Sequence, residues 1–174
     1  DTICLIPARS GSKGIKNKNL KKINNKSLTE ITIRSALNSK VFKEIILSSD
    51  SETILKIGKK LKITTIKRGK ENSKDSSTTD SVVKETIKKI NIDYKNIVIM
   101  QVTSPLRKVK TITKFINYCK RNKLETCCTV TKIDEQIGHD QKYFNPILSN
   151  NNRRRQDRKF FLYENGLLYF VKKS

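Results

Sequence analysis

The sequence is short of several residue types, and each shortage excludes a class of site. His139 is the only histidine among the 174 residues, which excludes a metal cluster built from histidines and an acid–base mechanism that uses two of them. The four cysteines show neither a CxxC pair nor a zinc-ligand spacing. There is no tryptophan and aromatic residues make up 6% of the chain, so we expect a core built mainly from Ile, Leu and Val.

Long apolar runs are also missing. No stretch approaches the roughly 20 apolar residues that a membrane-spanning helix needs. The stretch Ile3–Ala8 is too short for a secretion signal and leads directly into a charged loop. We therefore predict a cytoplasmic protein without a membrane partner. The length suits a single domain over residues 1–174.

Acidic residues are few, because 38 Lys and Arg stand against 16 Asp and Glu, a formal net charge of +22. Three interpretations of this charge are open: nucleic-acid binding, an anionic small-molecule substrate, or a coding bias toward lysine. Nucleic-acid binding requires cations gathered on one face. The lysines here are spread over nearly every predicted helix, and no aromatic-rich RNA-binding motif interrupts them. We expect no nucleic-acid partner, and charge alone names no other.

Apolar runs of strand length alternate with helical patterns along the chain. We predict strands over 3–8, 44–48, 63–67, 96–101 and 126–132, and helices over 28–39, 52–61, 80–90 and 109–122. Asp50 is a good N-cap for the second of these helices. Two short strands, 160–162 and 167–171, are predicted to flank a turn at Glu164–Gly166. The alternation predicts an α/β fold, with a mostly parallel sheet, helices on both faces and three layers in all.

The loop after the first predicted strand, Arg9–Asn19, has the composition of a phosphate-binding loop. Gly11 and Gly14 let the backbone approach a ligand closely, so that N–H groups can point at phosphate oxygens. Its cations are Arg9, Lys13 and Lys18. Fixed positive charge of this kind binds a triphosphate and stabilises departing pyrophosphate. The loop matches neither the GxxxxGK[ST] nor the GxGxxG pattern, and an ordinary solvated basic loop is the alternative.

Five segments follow one another in a characteristic order along the chain: 6–19, 47–51, 67–79, 100–107, and a late motif made of 154–157 and 163–170. Together they resemble the signature motifs of CMP-acylneuraminate (CMP-sialic acid) synthetases, a branch of the CMP-sugar synthetases and acylneuraminate cytidylyltransferases. The resemblance covers nearly the whole chain. It implies the nucleotide-diphospho-sugar transferase fold, which is GT-A-like and Rossmann-like.

The resemblance also implies an activity. It is the transfer of CMP from CTP to the anomeric hydroxyl of an acidic nine-carbon keto sugar of the sialic-acid type, with release of pyrophosphate, Mg²⁺ as cofactor and a homodimer as the assembly. Two alternatives stay open. One is a related synthetase for a legionaminic, pseudaminic or Kdo-type acid. The other is a non-catalytic basic protein that binds nucleotide or nucleic acid.

Individual residues receive roles from the same resemblance. The catalytic group is Lys18, Arg154 and Arg155. The substrate-binding group is Arg9, Lys13, Asn19, Arg68, Ser77, Thr79, Gln101, Asn165 and Gly166. Each has a plainer alternative: Arg68 as a surface residue at a strand end, Ser77 and Thr79 as helix caps, and Arg153–Arg155 as a solvated charge run.

The sequence departs from the family pattern in two places. The family coordinates its metal through an aspartate pair beyond the late motif, and this sequence ends at Ser174 before such a pair, so no metal ligand is identified here. We therefore expect a domain that is truncated at its C-terminus. The segment Asp134–Asn152 is shorter than its counterpart, which in the family contributes to dimerisation and to the sugar pocket.

Overall fold

The computed structural model describes residues 1–11, 14–69, 78–133, 135, 137–141, 143–146 and 160–173, and within 138–146 the backbone alone. The elements are β1 (Thr2–Pro7), β2 (Lys22–Ile23), β3 (Lys26–Ser27), α1 (Leu28–Ser39), β4 (Glu44–Ser49), α2 (Glu52–Lys60), β5 (Thr64–Lys67), α3 (Thr79–Lys89), β6 (Asn96–Ile99), α4 (Val109–Arg121), β7 (Thr126–Ile133), β8 (Gly138–Gln141), β9 (Tyr143–Pro146) and β10 (Phe161–Lys172). Within these ranges, no helix has both the length and the apolar character that crossing a membrane would require.

Six strands form the main sheet, in the order β5-β4-β1-β6-β10-β7. The central strand β1 pairs in parallel with β4 on one side and with β6 on the other, and β4 pairs in parallel with β5. Strand β10 runs antiparallel to β6. The predicted mostly parallel sheet is thus confirmed. The chain moves outward from β1 through β4 to β5 and then returns to the other side of β1 at β6, which places a topological switch point between β1 and β6.

Both faces of the sheet are buried at its central strand, as the alternation along β1 shows. Cys4 and Ile6 point into one apolar cluster, and Ile3 and Leu5 point into another on the opposite face. Helices α1, α2 and α4 cover the first face through Ile33, Ile54, Ile112 and Ile116. Helix α3 covers the second face through Val83 and Ile87. The predicted arrangement of helices on both faces is therefore confirmed.

The predicted boundaries agree with the structure within two residues, but the helix caps do not. Asp50 does not cap α2, because Ser51 is the N-cap and its hydroxyl accepts the N–H of Ile54 at 3.4 Å. Helix α3 is capped by Thr78, whose hydroxyl accepts the N–H of Ser81 at 3.1 Å. Thr79 is then the first residue of the helix, so its role as a cap is also excluded.

The prediction of two short strands around a turn at Glu164–Gly166 is wrong. Strand β10 runs without reversal from Phe161 to Lys172. It lies between β6 and β7 in the sheet, and its residues Tyr169–Lys172 pair with β6. Gly166 has φ 67, so the glycine places a local left-handed kink in a continuous strand instead of a chain reversal.

The chain divides into two compact units. The first comprises Asp1–Thr129 with Gly166–Ser174 and holds the core described above. The second is Val130–Asn165, and within it β8 and β9 form an antiparallel pair in which Gly138 lies opposite Pro146.

Replacing Gly58 in α2 by Ala should lower the free energy of unfolding by about 1–2 kcal/mol. A Cβ at this position would lie 2.7 Å from Thr65 Cγ2 and 2.9 Å from Leu47 Cδ2. Overpacking of this kind costs about 1–3 kcal/mol, and the helix propensity of Ala returns up to about 1 kcal/mol. Urea unfolding measures the difference. The control is Gly11→Ala, where a Cβ would meet no atom of the described residues within 4 Å. Equal midpoints for the two variants would contradict the packing argument.

Candidate nucleotide and sugar site

Four parallel strands end at one edge of the sheet, and a polar or charged residue lies just beyond the end of each. Arg9 follows β1, Asp50 follows β4, Arg68 follows β5 and Gln101 follows β6. Backbone hydrogen bonds continue past the strand ends: the N–H of Ala8 donates to Ser48 O and the N–H of Arg68 to Ser49 O, both at 2.9 Å. In sheets of this kind, ligands bind in the crevice outside these carboxyl ends.

The base of the Arg9–Asn19 loop is closed by the Asn19 side chain. This side chain is buried, at 7% exposed, and its Nδ2 donates to the carbonyl oxygen of Arg9 at 2.8 Å. The carbonyl of Asn19 in turn accepts the Thr29 hydroxyl of α1 at 2.9 Å. Lys18 is half-buried and opens a short 3-10 turn, Lys18–Leu20. Arg9, Lys18 and Asn19 are thus held at the two ends of one loop, beside the end of β1.

Asp50 fixes the start of the same loop from the neighbouring strand. Its Oδ1 accepts the N–H of Ser10 at 2.8 Å, and its Oδ2 accepts the Ser10 hydroxyl at 2.5 Å. The carboxylate therefore binds Ser10 through both oxygens. This contact, and not a helix cap, is the role of Asp50 in the structure, and it leaves the loop anchored to both β1 and β4.

Arg68 is buried beneath this edge, at 8% exposed. Its Nε donates to the Ser48 hydroxyl at 3.0 Å and its Nη2 to the Ser48 carbonyl at 2.9 Å. Burial lowers the pKa of the guanidinium, whereas the carboxylates of Asp50 and Glu85 raise it and the charge of Arg9 lowers it further. Arg68 is therefore not a surface residue, and it shares an electrostatic environment with Arg9.

Gln101 and Gly166 come together at the next strand. Gln101 is half-buried at the end of β6, and a Cβ placed on Gly166 would lie 3.3 Å from Gln101 Oε1. With φ 67, Gly166 also has a backbone conformation that other residues adopt with strain. Glycine at this position thus leaves room for the Gln101 amide. The two predicted residues form one local arrangement.

The remaining predicted residues have different locations. Thr79 is exposed at the start of α3. Asn165 belongs to the second unit, where its Nδ2 donates to the Thr131 hydroxyl at 3.0 Å. The others lie outside the described residues: Lys13, Ser77, Arg154 and Arg155.

Three residues of this edge were not singled out from the sequence: Ser10, Ser48 and Arg107. Each lies inside a segment that the sequence did identify, beside Arg9, within 47–51, or at the end of 100–107. The sequence motifs therefore identify each segment, but they do not identify which of its residues makes the contact. Which member of a segment accepts or donates a hydrogen bond depends on the neighbouring strand, and the local pattern does not specify it.

The described residues do not by themselves form a site for a resident Mg²⁺ ion. They contain no group of three His, Cys, Asp or Glu side chains placed to hold a metal. Asp50 brings a carboxylate to this edge, but both of its oxygens already accept hydrogen bonds from Ser10. Magnesium prefers carboxylate, phosphate and water oxygens in near-octahedral geometry, which this arrangement does not supply.

A comparison with protein families agrees with the geometry. The family model described as "Cytidylyltransferase" matches residues 3–172. The chain belongs to the cytidylyltransferase family. It is 31% identical over 180 residues to an N-acylneuraminate cytidylyltransferase of Streptococcus agalactiae, which covers 99% of this chain and 43% of the relative. The chain therefore spans less than half the length of that relative.

Two further proteins are similar in part or in fold. A CMP-N,N'-diacetyllegionaminic acid synthase of Campylobacter jejuni is 47% identical over 60 residues, which is 34% of this chain and 26% of the relative. The solved structure of a CMP:2-keto-3-deoxy-manno-octonic acid synthetase complexed with CTP superposes with a TM-score of 0.74 at 16% identity. That superposition covers 98% of this chain and 73% of the solved one, and it confirms the nucleotide-sugar transferase, Rossmann-like fold.

Replacing Asp50 by Ala should lower the free energy of unfolding by about 2 kcal/mol, because hydrogen bonds to a charged group contribute about 1.5–3 kcal/mol each and this pair is only partly buried. The matched control is Asp80→Ala. Asp80 pairs with Lys84 at 2.8 Å, but the two side chains are 70% and 71% exposed, and solvent screening leaves such pairs little effect on stability. Urea midpoints compare the two. A larger loss for the Asp80 variant would refute the anchoring role of Asp50.

Proposed function

We propose that this cytidylyltransferase transfers CMP from CTP to the anomeric hydroxyl of an acidic keto sugar and releases pyrophosphate. The observation that carries the proposal is the anchored basic loop after β1, which lies with Arg68 at the carboxyl edge of the sheet. A triphosphate carries several negative charges and many acceptor oxygens, so it suits fixed cations and exposed backbone N–H groups.

The reaction is an in-line displacement. The sugar hydroxyl oxygen forms a bond to the α-phosphorus of CTP and its proton passes to water, while the bond from that phosphorus to the bridging oxygen of pyrophosphate breaks. Negative charge moves onto the leaving pyrophosphate. The protein contributes mainly by holding the two reactants in line and by neutralising this charge. Arg9 and Lys18 lie at the loop that would surround the departing phosphates.

The other residue roles are part of the same proposal. Gln101 lies beside Gly166, and it would contact the sugar and the nucleotide where the two meet. Asn19 would act by keeping the loop closed, as its hydrogen bond to Arg9 O suggests. The predicted roles of Lys13, Ser77, Arg154 and Arg155 stay predictions, since these residues lie outside the described ranges.

A sialic-acid-type acid is the proposed acceptor, because the streptococcal relative is an N-acylneuraminate cytidylyltransferase and aligns over nearly the whole chain. A legionaminic acid is the second candidate, since the Campylobacter relative has the higher identity over its shorter stretch. A basic site favours any of these anions and does not choose among them. Pyrophosphate release with a panel of sialic, legionaminic, pseudaminic and Kdo-type acids separates them.

Three further features belong to the proposal. Mg²⁺ would enter with the nucleotide, so that MgCTP is the substrate. A cytoplasmic location is consistent with Cys4, Cys119, Cys127 and Cys128, which are all free thiols in the structure. The homodimer rests on the resemblance alone, and light scattering of the protein from its complete reading frame tests it.

Arg9→Ala and Lys18→Ala should each weaken CTP binding by about 1.5–3 kcal/mol, the range for a hydrogen bond to a charged group. This corresponds to roughly 10- to 150-fold in Kd. The measurement is calorimetric titration of the protein from its complete reading frame at fixed Mg²⁺. Lys21→Ala and Lys22→Ala are the matched controls, because both lysines are exposed just beyond the loop. Equal losses in all four variants would show that charge acts diffusely and would overturn the loop assignment.

CTP should bind more tightly than ATP, GTP or UTP by about 1–3 kcal/mol. A base other than cytosine would leave a buried polar group of the site without its hydrogen-bond partner, and that costs about this much. The same titration with the four nucleotides measures the difference, and a duplex oligonucleotide is the control for charge alone. Comparable affinity for CTP and ATP would exclude a cytidylyltransferase site in this protein while leaving the fold unaffected. Tighter binding to the duplex would instead favour the basic binding protein.

A further inference from the structure

The segment 100–107 ends in an arginine that none of the roles above involves. Arg107 is buried, at 6% exposed, before the start of α4. Its Nη2 donates to the carbonyl oxygen of Gln101 at 2.7 Å and to the carbonyl oxygen of Leu167 at 2.9 Å. Its Nε donates to the same Leu167 carbonyl at 3.2 Å. One guanidinium thus bridges the backbone of two residues that are distant in sequence.

The bridge lies where the pairing of two strands ends. The described pairs between β6 and β10 run from Asn96 with Lys172 to Ile99 with Tyr169. Continuing this antiparallel register by two residues places Gln101 opposite Leu167, and these are the two residues whose carbonyls Arg107 binds. The Arg107 side chain therefore joins the two segments just beyond the last described pair of β6 and β10. Leu167 directly follows Gly166, the residue that leaves room for the Gln101 amide.

An arginine at this position is costly for folding. Burial lowers its pKa to about 10, so it keeps its charge at neutral pH inside the protein. Its hydrogen bonds go to neutral carbonyl oxygens, and within the described part of the chain the buried Nη1 has no hydrogen-bond partner. A side chain without donors at this position would leave the carbonyls of Gln101 and Leu167 without these bonds. The geometry of the bridge therefore indicates what the buried charge is used for: it holds these two backbone segments together.

We propose that Arg107 is a positioning residue, whose guanidinium fixes the backbone of Gln101 against β10 so that the Gln101 amide and Gly166 keep the spacing that the nucleotide and sugar require. Arg107 acts through Gln101 and does not itself touch the substrates. The inference rests on the proposed function, because it assigns Arg107 to the same site.

The kinetic test is a double-mutant cycle in the protein from its complete reading frame. Arg107→Met should lower kcat/KM for CMP-sugar formation by roughly 10- to 100-fold, the scale of a misplaced contact group. In a Gln101→Ala background the same substitution should have an effect of less than about twofold, because residues that act as a unit are strongly non-additive. Arg107→Lys, which replaces the fork by a single ammonium, should lie between wild type and Arg107→Met.

Arg34→Met is the matched control for removing an arginine. Arg34 is exposed and pairs with Glu30 at 2.8 Å on the outer surface of α1. Its substitution should leave kcat/KM within about twofold, as expected for an exposed ion pair. A comparable loss in the Arg34 variant would show that the effect is a general loss of charge and would overturn the inference.

A second measurement does not depend on activity. Hydrogen–deuterium exchange followed by mass spectrometry should show faster exchange at 100–106 and 166–168 in Arg107→Met, with exchange in β1 and α1 unchanged, and Arg34→Met should match wild type throughout. If Arg107→Met does not fold, Arg107→Lys is compared in its place. Additive kinetic losses, or unchanged exchange in these two segments, would overturn the role of Arg107. A wild-type protein without CTP binding or activity would refute the proposed function. The exchange pattern alone would then show whether Arg107 holds the two segments together.

Discussion

The parallel pairing of β1 with β4 and β6 is the constraint on which the rest of the molecule depends. Strand β1 is bonded along both edges and buried on both faces, since Ile3, Cys4, Leu5 and Ile6 have no exposed surface. A strand with no free side is difficult to shift by one residue, because every side chain would change faces. This fixed register decides where the neighbouring strands end. The polar residues of the site are consequently brought to one edge by packing that takes place elsewhere.

The exposed and buried arginines described above have different partners. The exposed Arg34 pairs with Glu30. The buried arginines of the site are instead bound by neutral oxygens: Arg68 by the hydroxyl and carbonyl of Ser48, and Arg107 by two carbonyls. Neutral acceptors hold a guanidinium in place without cancelling its charge. Both guanidinium groups are therefore held in place by neutral oxygens, while the carboxylates of Asp50 and Glu85 raise the pKa of Arg68 against the effect of its burial.

Much of the fold could be predicted from the sequence, because strong periodic patterns set most elements. Helix α1 begins and ends where the pattern predicts, at Leu28 and Ser39. The failures arise where a local signal has two equally good solutions. Asp50 and Ser51 both suit a helix cap, and only the proximity of Ser10 decides between them. The segment around Gly166 has the composition of a turn, but in the structure it is part of one continuous strand. The site segments could be predicted from their local motifs. The individual hydrogen bonds could not, because the partners come from other strands.

The way in which the Arg9–Asn19 loop is closed has an evolutionary consequence. Its ends are held by the bond from Asn19 to Arg9, by the bond from Thr29 to Asn19 and by the two bonds from Ser10 to Asp50. A change of length or sequence between Ser10 and Lys18 leaves these bonds in place, and the added closure entropy grows only slowly with length. The loop can thus diverge by substitution, insertion or deletion while the core that supports it stays constant.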